Sequence, residues 1–460
     1  LRGVQTVDAV AMVTRQDAND LRLARPAGER AAVPLVRRLL SQGLLLTMRV
    51  GVAGAKALLA FYTARFLSLA DLGIYGLLIA GTTIVPAVAG FGMTDWIARK
   101  IVDLPRAEAV ELIVARLSLT VCVHLCVQPL ALGLDLMLGQ PIPIELAAMG
   151  GLILLLEHIG SESNDLLVAR RRVLLSQTLS FLRAAVWPLL VIAIGLLYPP
   201  ARTLTFMLSV WLIVVAVNAL VLLALFWSRM GTLLVPVHIG LLLQQLRGSW
   251  VLYVRDLSNM VSIFSDRFII STVLGLELTG VYTLFWSIAN VIYSVVVVGL
   301  LLTQVAPLVD AAKRGYAQFS AVKRRIQIEL AGWVLVLTAG AAIATPLLLP
   351  FLGRPLLQAN LTVFWIVLFA MIMRIAADGY GFALLALQRD RAIAIVAVLS
   401  AVASATATAV MTSLMGLWGA AVAFAASATA IFIVRYCLTA FNGWATSSPT
   451  LTQGAGHGAR

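Results

Sequence analysis

The chain has 460 residues, of which 61% are hydrophobic and only 12% charged, with a formal net charge of +13. So apolar a composition excludes an ordinary water-soluble globular protein and points to many membrane spans. The positive charge does not indicate nucleic acid. Arg and Lys fall in short segments between apolar runs instead of striping a soluble domain, which is how a cytoplasmic membrane face looks.

Residues 1–41 hold Arg2, Arg15, Arg22, Arg25, Arg30, Arg37 and Arg38 without an apolar run of signal-peptide length, and read as a disordered cytosolic extension. Apolar stretches long enough to cross a bilayer at 1.5 Å per residue follow at 42–66, 73–97, 109–138, 143–168, 174–198 and 204–227, the first lobe. A cytosolic linker at 228–245 leads to six more, at 246–273, 279–309, 327–351, 360–388, 391–412 and 416–440, the second lobe. Residues 441–460 are a Gly/Ser/Thr-rich flexible tail. The expected fold is an all-α polytopic membrane protein of twelve transmembrane helices in two pseudo-symmetric six-helix lobes.

Connections after even-numbered spans hold Arg99, Lys100 and Arg106, then Arg170, Arg171 and Arg172, then Arg229, then Lys313, Arg314, Lys323, Arg324 and Arg325, and last Arg389 and Arg391. Those after odd-numbered spans hold only Arg202 and Arg354 and are short. The positive-inside rule places both termini in the cytoplasm. Such short outer connections leave no room for an extracytoplasmic catalytic domain.

The lobes share a local pattern. Gly73-Ile74-Tyr75 in LSLADLGIYGLLIA recurs as Gly280-Val281-Tyr282, 207 residues later, each at the start of its lobe's second span. Two lobes of the same orientation, related by an axis along the membrane normal, account for this.

Along residues 42–440, the segments LADLGIYGLL, AGFGMTDWIARK, SDRFIISTVLGLELTGVYTL, LLALQRDRA and MGLWGAAVA resemble the polysaccharide-flippase branch of the multidrug/oligosaccharidyl-lipid/polysaccharide exporter superfamily. The resemblance implies two lobes around a central cavity. It also implies movement of polyprenyl-diphosphate-linked oligosaccharides across the bacterial inner membrane by alternating access, for O-antigen, capsule or exopolysaccharide assembly. The implied partners are the lipid-linked oligosaccharide, membrane lipids, and a polysaccharide polymerase with its chain-length machinery; no cofactor is implied. The Arg-rich N-terminal extension departs from the family's pattern.

Charges inside the spans call for an account of their own. The candidates are Arg49 and Lys56 in span 1, Glu157 in span 4, Arg183 in span 5, Arg255, Asp256, Asp266 and Arg267 in span 7, and Arg374 and Asp378 in span 10. Facing lipid, they would cost about 25 to 35 kcal/mol together, so they must face one another or water. Arg49 and Lys56 lie seven residues apart, within about 20° on a helix, and form a cationic stripe. That stripe suits an aqueous cavity, an anionic ligand, or ion pairing to span 4 through Glu157. Asp266 and Arg267 diverge by about 100° and are not expected to pair with each other; Arg255 shares a face with Asp266, and Asp256 with Arg267. Arg374 and Asp378 have the spacing of an intrahelical bridge or line a cavity. Arg65 reads as snorkelling, Asp95 as a local partner of Arg99, and Glu162 and Asp165 as interfacial neutralisers of Arg170 to Arg172.

Six cations against four acids in this set suit a lipid diphosphate, whose oxygens match the planar guanidinium fork. Tyr253, Tyr282, Trp286, Asn290, Tyr293 and Tyr380 are available for sugar contacts or for packing. His124 and His158 lie inside spans, as packing histidines or, for Glu157 with His158, as a coupling site. The cysteines Cys122, Cys126 and Cys437 show no metal spacing and read as small packing residues. No phosphate-binding Gly-rich loop precedes a Lys-Ser/Thr pair, so ATP is not expected to be used. The reading is a non-enzymatic flippase; its rivals are an ion-coupled multidrug exporter of the same superfamily and a membrane polysaccharide polymerase or glycosyltransferase.

Overall fold

The computed structural model describes residues 32–93, 97, 101, 105–137, 143–169, 172–230 and 239–441. The expectations for residues 1–31, for Asp95, Arg99, Lys100, Arg170 and Arg171, and for the tail from 442 lie outside the described residues.

The described residues are almost wholly helical. Span 1 is the helix Ala32–Phe66, which starts ten residues before its expected boundary and so takes 32–41 out of the expected disordered extension. The segment AVPLVRRLL keeps the apolar content of the span despite Arg37 and Arg38, and propagating an existing helix costs far less than nucleating one. Spans 2 to 6 are Leu69–Gly90, Arg106–Met137, Ile144–Ala169, Val173–Leu197 and Leu204–Met230. Spans 7, 9 and 10 are Ile239–Leu274, Tyr316–Leu352 and Leu361–Ala386. Span 8, Leu276–Tyr293, widens into a π turn at Ser294–Leu300 and tightens at Leu301–Gln304 before ending in the helix Val305–Arg314.

Ten helical stretches among the described residues are long and apolar enough to cross a membrane. The helix Asp390–Phe441 supplies two crossings, because it breaks at Gly416, with φ 63° and ψ −147°. A Cβ on Gly419 would lie 2.0 Å from the Met411 carbonyl oxygen, whereas a straight helix would hold residues at that separation about 12 Å apart. The chain therefore reverses at Gly416, and with the 35-residue span 1 the count reaches the expected twelve.

Burial follows the two lobes. In the first, Trp187 and Trp211 stack with ring centroids 4.3 Å apart beneath the edge of Tyr75. In the second, Phe285 packs on Phe364 at 5.6 Å. Large apolar side chains such as Leu197, Leu335, Phe351 and Leu414 point outward, the reverse of a water-soluble protein and the surface that lipid requires.

The repeated motifs meet each other. A Cβ on Gly73 would stand 2.2 Å from the Leu276 carbonyl oxygen, and one on Gly280 would stand 1.9 Å from that of Leu69. These contacts exchange under the 207-residue offset, as a pseudo-twofold axis requires. Spans 2 and 8 can approach this closely only because neither position carries a side chain. Span 2 is started squarely at that crossing by a capping box, in which Ser68 Oγ accepts from the Asp71 N–H and Asp71 Oδ2 accepts from the Ser68 N–H, both at 3.0 Å.

Two arginines join the lobes at this same short-loop end. Arg65 does not merely snorkel: its Nη1 donates to the Leu352 carbonyl at 3.2 Å. In return Arg354 Nε donates to the Ala64 carbonyl at 3.0 Å and its Nη2 donates to that of Leu67. Each lobe thus caps a helix end of the other, satisfying carbonyls that lack intrahelical donors.

Candidate functional site: an interlobe cavity and a second chamber

A cavity of ≈170 Å³ lies where spans 1, 2, 7 and 8 converge. Span 1 brings Lys56, span 2 brings Thr82 and Thr83, span 7 brings Arg267, and span 8 brings Thr283, Trp286, Ser287 and Asn290. Among the described residues no carboxylate lines it. Lys56 has no carboxylate within ion-pairing distance among the described residues. Arg267 is 1% exposed, and its guanidinium lies 3.8 Å from the ring centroid of Trp286. Its Nη2, the Trp286 Nε1 and the Thr283 Oγ1 are all buried without a hydrogen-bond partner among the described residues. Two of these atoms can only donate, so the wall presents buried N–H groups to one small space. An arrangement of this kind is stabilised by an anion that accepts from them.

Behind that wall Asp266 and Arg267 pair after all, at 3.5 Å. This corrects the expectation from helical angles. The long guanidinium stem folds back along the helix, while Asp266 Oδ1 accepts from the Arg267 backbone N–H at 2.8 Å and turns toward it. Tyr282 of the repeated motif donates to Asp266 Oδ2 at 2.6 Å. Asp266 is thereby turned away from the cavity and Arg267 is fixed at its edge.

The cationic stripe of span 1 divides. Lys56 faces the cavity, whereas Arg49 Nε donates to Gln177 Oε1 at 3.4 Å and Nη1 to the Val298 carbonyl at 3.3 Å. Val298 lies in the π turn of span 8, where the wider winding displaces carbonyls from their usual partners. Glu157 forms no ion pair with either span 1 cation among the described residues, although its charge acts on Lys56. Arg183 holds it at 3.2 Å and also donates to its backbone carbonyl, and Trp211 Nε1 donates to its Oε1 at 2.9 Å.

Further along span 7, Arg255 and Asp256 pair with each other, the guanidinium 2.8 Å from the carboxylate. Their face-sharing with Asp266 and Arg267 brings no contact, because three turns separate them by about 16 Å. The bridge expected between Arg374 and Asp378 is also corrected. Asp378 accepts from Arg435 of span 12 at 2.7 Å and from the Tyr293 hydroxyl at 2.9 Å. The Arg374 guanidinium instead lies 5.0 Å from the Tyr293 ring centroid. These groups line a second chamber of ≈330 Å³ within the second lobe. Sequence reasoning missed Arg435 because it sits near the end of the last span, where a charge looks like a boundary.

His158 turns away from Glu157 into a buried network between spans 3 and 4. Arg116 Nη2 donates to Glu162 Oε1, and Thr120 donates to Oε2 at 2.8 Å. His158 Nε2 lies 3.1 Å from the same Oε1, His124 Nε2 lies 3.0 Å from His158 Nδ1, and Gln128 lies 3.0 Å from His124. Glu162 is therefore no interfacial neutraliser but the buried partner of Arg116, a residue the sequence reading passed over. Its signal was legible: residues 116, 120, 124 and 128 are polar at steps of four and share one helical face. Glu162→Ala strands the 1% exposed Arg116 and is expected to cost about 3 to 5 kcal/mol, read as a lowered unfolding temperature in detergent. Arg116→Leu with Glu162→Leu should recover most of the loss.

Of the remaining candidates, Tyr253 donates to the Val88 carbonyl and Tyr380 packs on Phe432 and Tyr436, so both serve helix packing. Cys122 and Cys126 are exposed on the outward face of span 3, not packed in the core as expected. Among the described residues no group of three His, Cys, Asp or Glu is placed to hold a metal ion.

No protein-family model and no curated protein matches the chain in sequence. Solved structures do match in fold. An inward-facing multidrug resistance MATE family transporter of the MOP superfamily aligns at TM-score 0.62 and 13% identity, covering 85% of this chain and 92% of that one. An outward-facing MATE transporter of that superfamily aligns at 0.58 and 14%, covering 85% and 93%. The lipid II flippase MurJ in an inward closed conformation aligns at 0.67 and 8%, covering 86% of each chain. At these identities the likeness is one of architecture: this chain has the fold of the MOP-superfamily transporters.

Proposed function

We propose that the protein is a bacterial inner-membrane flippase for a polyprenyl-diphosphate-linked oligosaccharide, with both termini in the cytoplasm and the short loops outside. The observation that carries this reading is the interlobe cavity, which offers Lys56, Arg267 and unpartnered buried donors and no carboxylate. A diphosphate accepts from several donors at once, and its charge offsets the cost of holding two cations at membrane depth. The polyprenyl tail stays in lipid while the lobes rock, closing and parting at the crossing of spans 2 and 8, and expose the cavity to either side. Buried Arg and Lys carry the headgroup through the low-dielectric slab. Glycans of the O-antigen, capsule or exopolysaccharide kind are the cargo, and their polymerase and chain-length machinery would take the product on the outer side.

A second reading comes from the likeness to MATE multidrug transporters, export of cationic drugs. The aromatic part of such a site is present in Tyr75, Phe264 and Trp286, but the carboxylate that would hold a cation is missing from the cavity wall. Purified protein in proteoliposomes separates the two. Inorganic pyrophosphate should bind and compete with a polyprenyl-diphosphate-linked sugar, and ethidium should neither bind nor be transported. Ethidium transport without pyrophosphate binding would overturn the flippase reading.

A further inference from the structure

The ≈330 Å³ chamber of the second lobe is a cavity separate from the interlobe one. Span 7 lines the interlobe cavity with Phe264 and Arg267 and the chamber with Asn259 and Ile263; span 8 lines the first with Trp286 and Asn290 and the second with Tyr293 and Val297. The two spaces thus follow one another along the same pair of helices, Asn259 lying about 12 Å below Arg267 at 1.5 Å per residue. The chamber is of small-ligand size, at the lower end of the roughly 300 to 1,000 Å³ usual for such pockets.

Its chemistry differs from that of the cavity above. Both carboxylate oxygens of Asp378 are taken, one by Arg435 and one by the Tyr293 hydroxyl. That leaves Arg374, which rests over the Tyr293 ring and has no carboxylate within ion-pairing distance among the described residues. Around it, Asn259, Ser400 and Ser427 supply hydroxyl and amide groups, and Phe424 supplies an apolar face. Hydroxyl partners, an aromatic surface for C–H groups and one guanidinium that contacts the Tyr293 side chain but no carboxylate among the described residues are the groups that would suit a sugar bearing a negative charge. A planar fork next to a carboxylate gives two parallel hydrogen bonds, which a neutral sugar cannot accept.

We infer that this chamber is a glycan subsite selective for an acidic sugar, with Arg374 donating to a uronate-type carboxylate while the diphosphate is held by Lys56 and Arg267. The inference rests on the flippase reading for its substrate, but the two sites are tested by separate probes. Full-length protein in nanodiscs is titrated with D-glucuronate, D-glucose, inorganic pyrophosphate and sn-glycerol 1-phosphate, with binding followed by saturation-transfer NMR. Glucuronate should bind about tenfold or more tightly than glucose, the margin of a charge-assisted pair over none. Arg374→Gln should abolish that preference and leave pyrophosphate binding in place, which also certifies the variant's fold. Lys56→Gln with Arg267→Gln should weaken pyrophosphate and spare glucuronate. Equal binding of the two sugars, or a preference that survives Arg374→Gln, overturns the assignment. So does displacement of glucuronate by glycerol phosphate at matching concentration, which would make the chamber a lipid-headgroup site. A glucuronate preference lost in Arg374→Gln, with no pyrophosphate binding in the native protein, would support the subsite while sinking the diphosphate reading.

Discussion

On the proposed flippase reading, Gly280→Val lowers transport about tenfold or more and traps the protein with its short-loop end open. The Cβ of any substituted residue there falls 1.9 Å from the Leu69 carbonyl oxygen, and beyond it stands the Gly73 backbone nitrogen at 3.2 Å. These are backbone atoms inside a helix, which cannot swing aside as a flexible side chain can, so spans 2 and 8 must separate. Separation at this crossing also pulls Arg65 from Leu352 and Arg354 from Ala64 and Leu67, since both arginines span the same lobe boundary. Gly73→Val acts through the mirror contact with Leu276 and has the same outcome. Because the substitution opposes one conformation rather than the fold, membrane levels should stay near normal while transport falls about tenfold or more. The check is a cysteine at Leu67, in a background lacking Cys122, Cys126 and Cys437, challenged with an impermeant thiol reagent. Labelling should rise in Gly280→Val; unchanged labelling with normal transport would contradict the crossing's role.

If the proposed flippase reading holds, Lys56→Gln and Arg267→Gln each reduce surface glycan in a complemented flippase-null strain by about tenfold or more, and together they abolish it. Each charged donor to an ionised acceptor is worth about 1.5 to 3 kcal/mol, or roughly 10-fold to 150-fold in affinity. The effects are unequal in kind. Arg267→Gln also deprives Asp266 of its ion pair, leaving only the Tyr282 hydroxyl and the backbone N–H, so some loss of stability accompanies it. Arg267→Lys preserves the charge but not the planar group that lies on Trp286, and should restore abundance more fully than activity. Asp266→Asn with Arg267→Gln provides the control, a neutral pair with near-native abundance and no transport. Normal glycan from the well-inserted double variant Lys56→Gln with Arg267→Gln would refute the cationic cavity as the path of the diphosphate.

The architecture was legible because lipid imposes it on composition. Every backbone polar group in a bilayer must bond internally, so long apolar runs have little choice but to be helices, and their number and repeat can be read directly. The Gly73 and Gly280 motifs were recognisable for a related reason: a backbone-to-backbone crossing tolerates no side chain, and the constraint leaves glycine in the same place in both lobes. Lys56 and Arg267 could be singled out because an isolated charge within a span demands an explanation.

Partnership was another matter. Angular position on one helix placed Asp266 and Arg267 apart and Arg374 beside Asp378, yet the first two pair and Asp378 belongs to Arg435. Helical angles fix where a Cβ points, whereas an ion pair is decided by the reach of a long side chain and by whichever neighbouring helix lies within a few ångströms. Glu162 likewise looked like a boundary charge until span 3 was packed against it with Arg116 and Thr120. By itself the sequence determined twelve crossings, two related lobes and a surplus of buried cations, since each follows from the cost of polar groups in hydrocarbon. Only the tertiary structure decided which cations are neutralised and which face a cavity, because that depends on contacts between helices far apart in the chain.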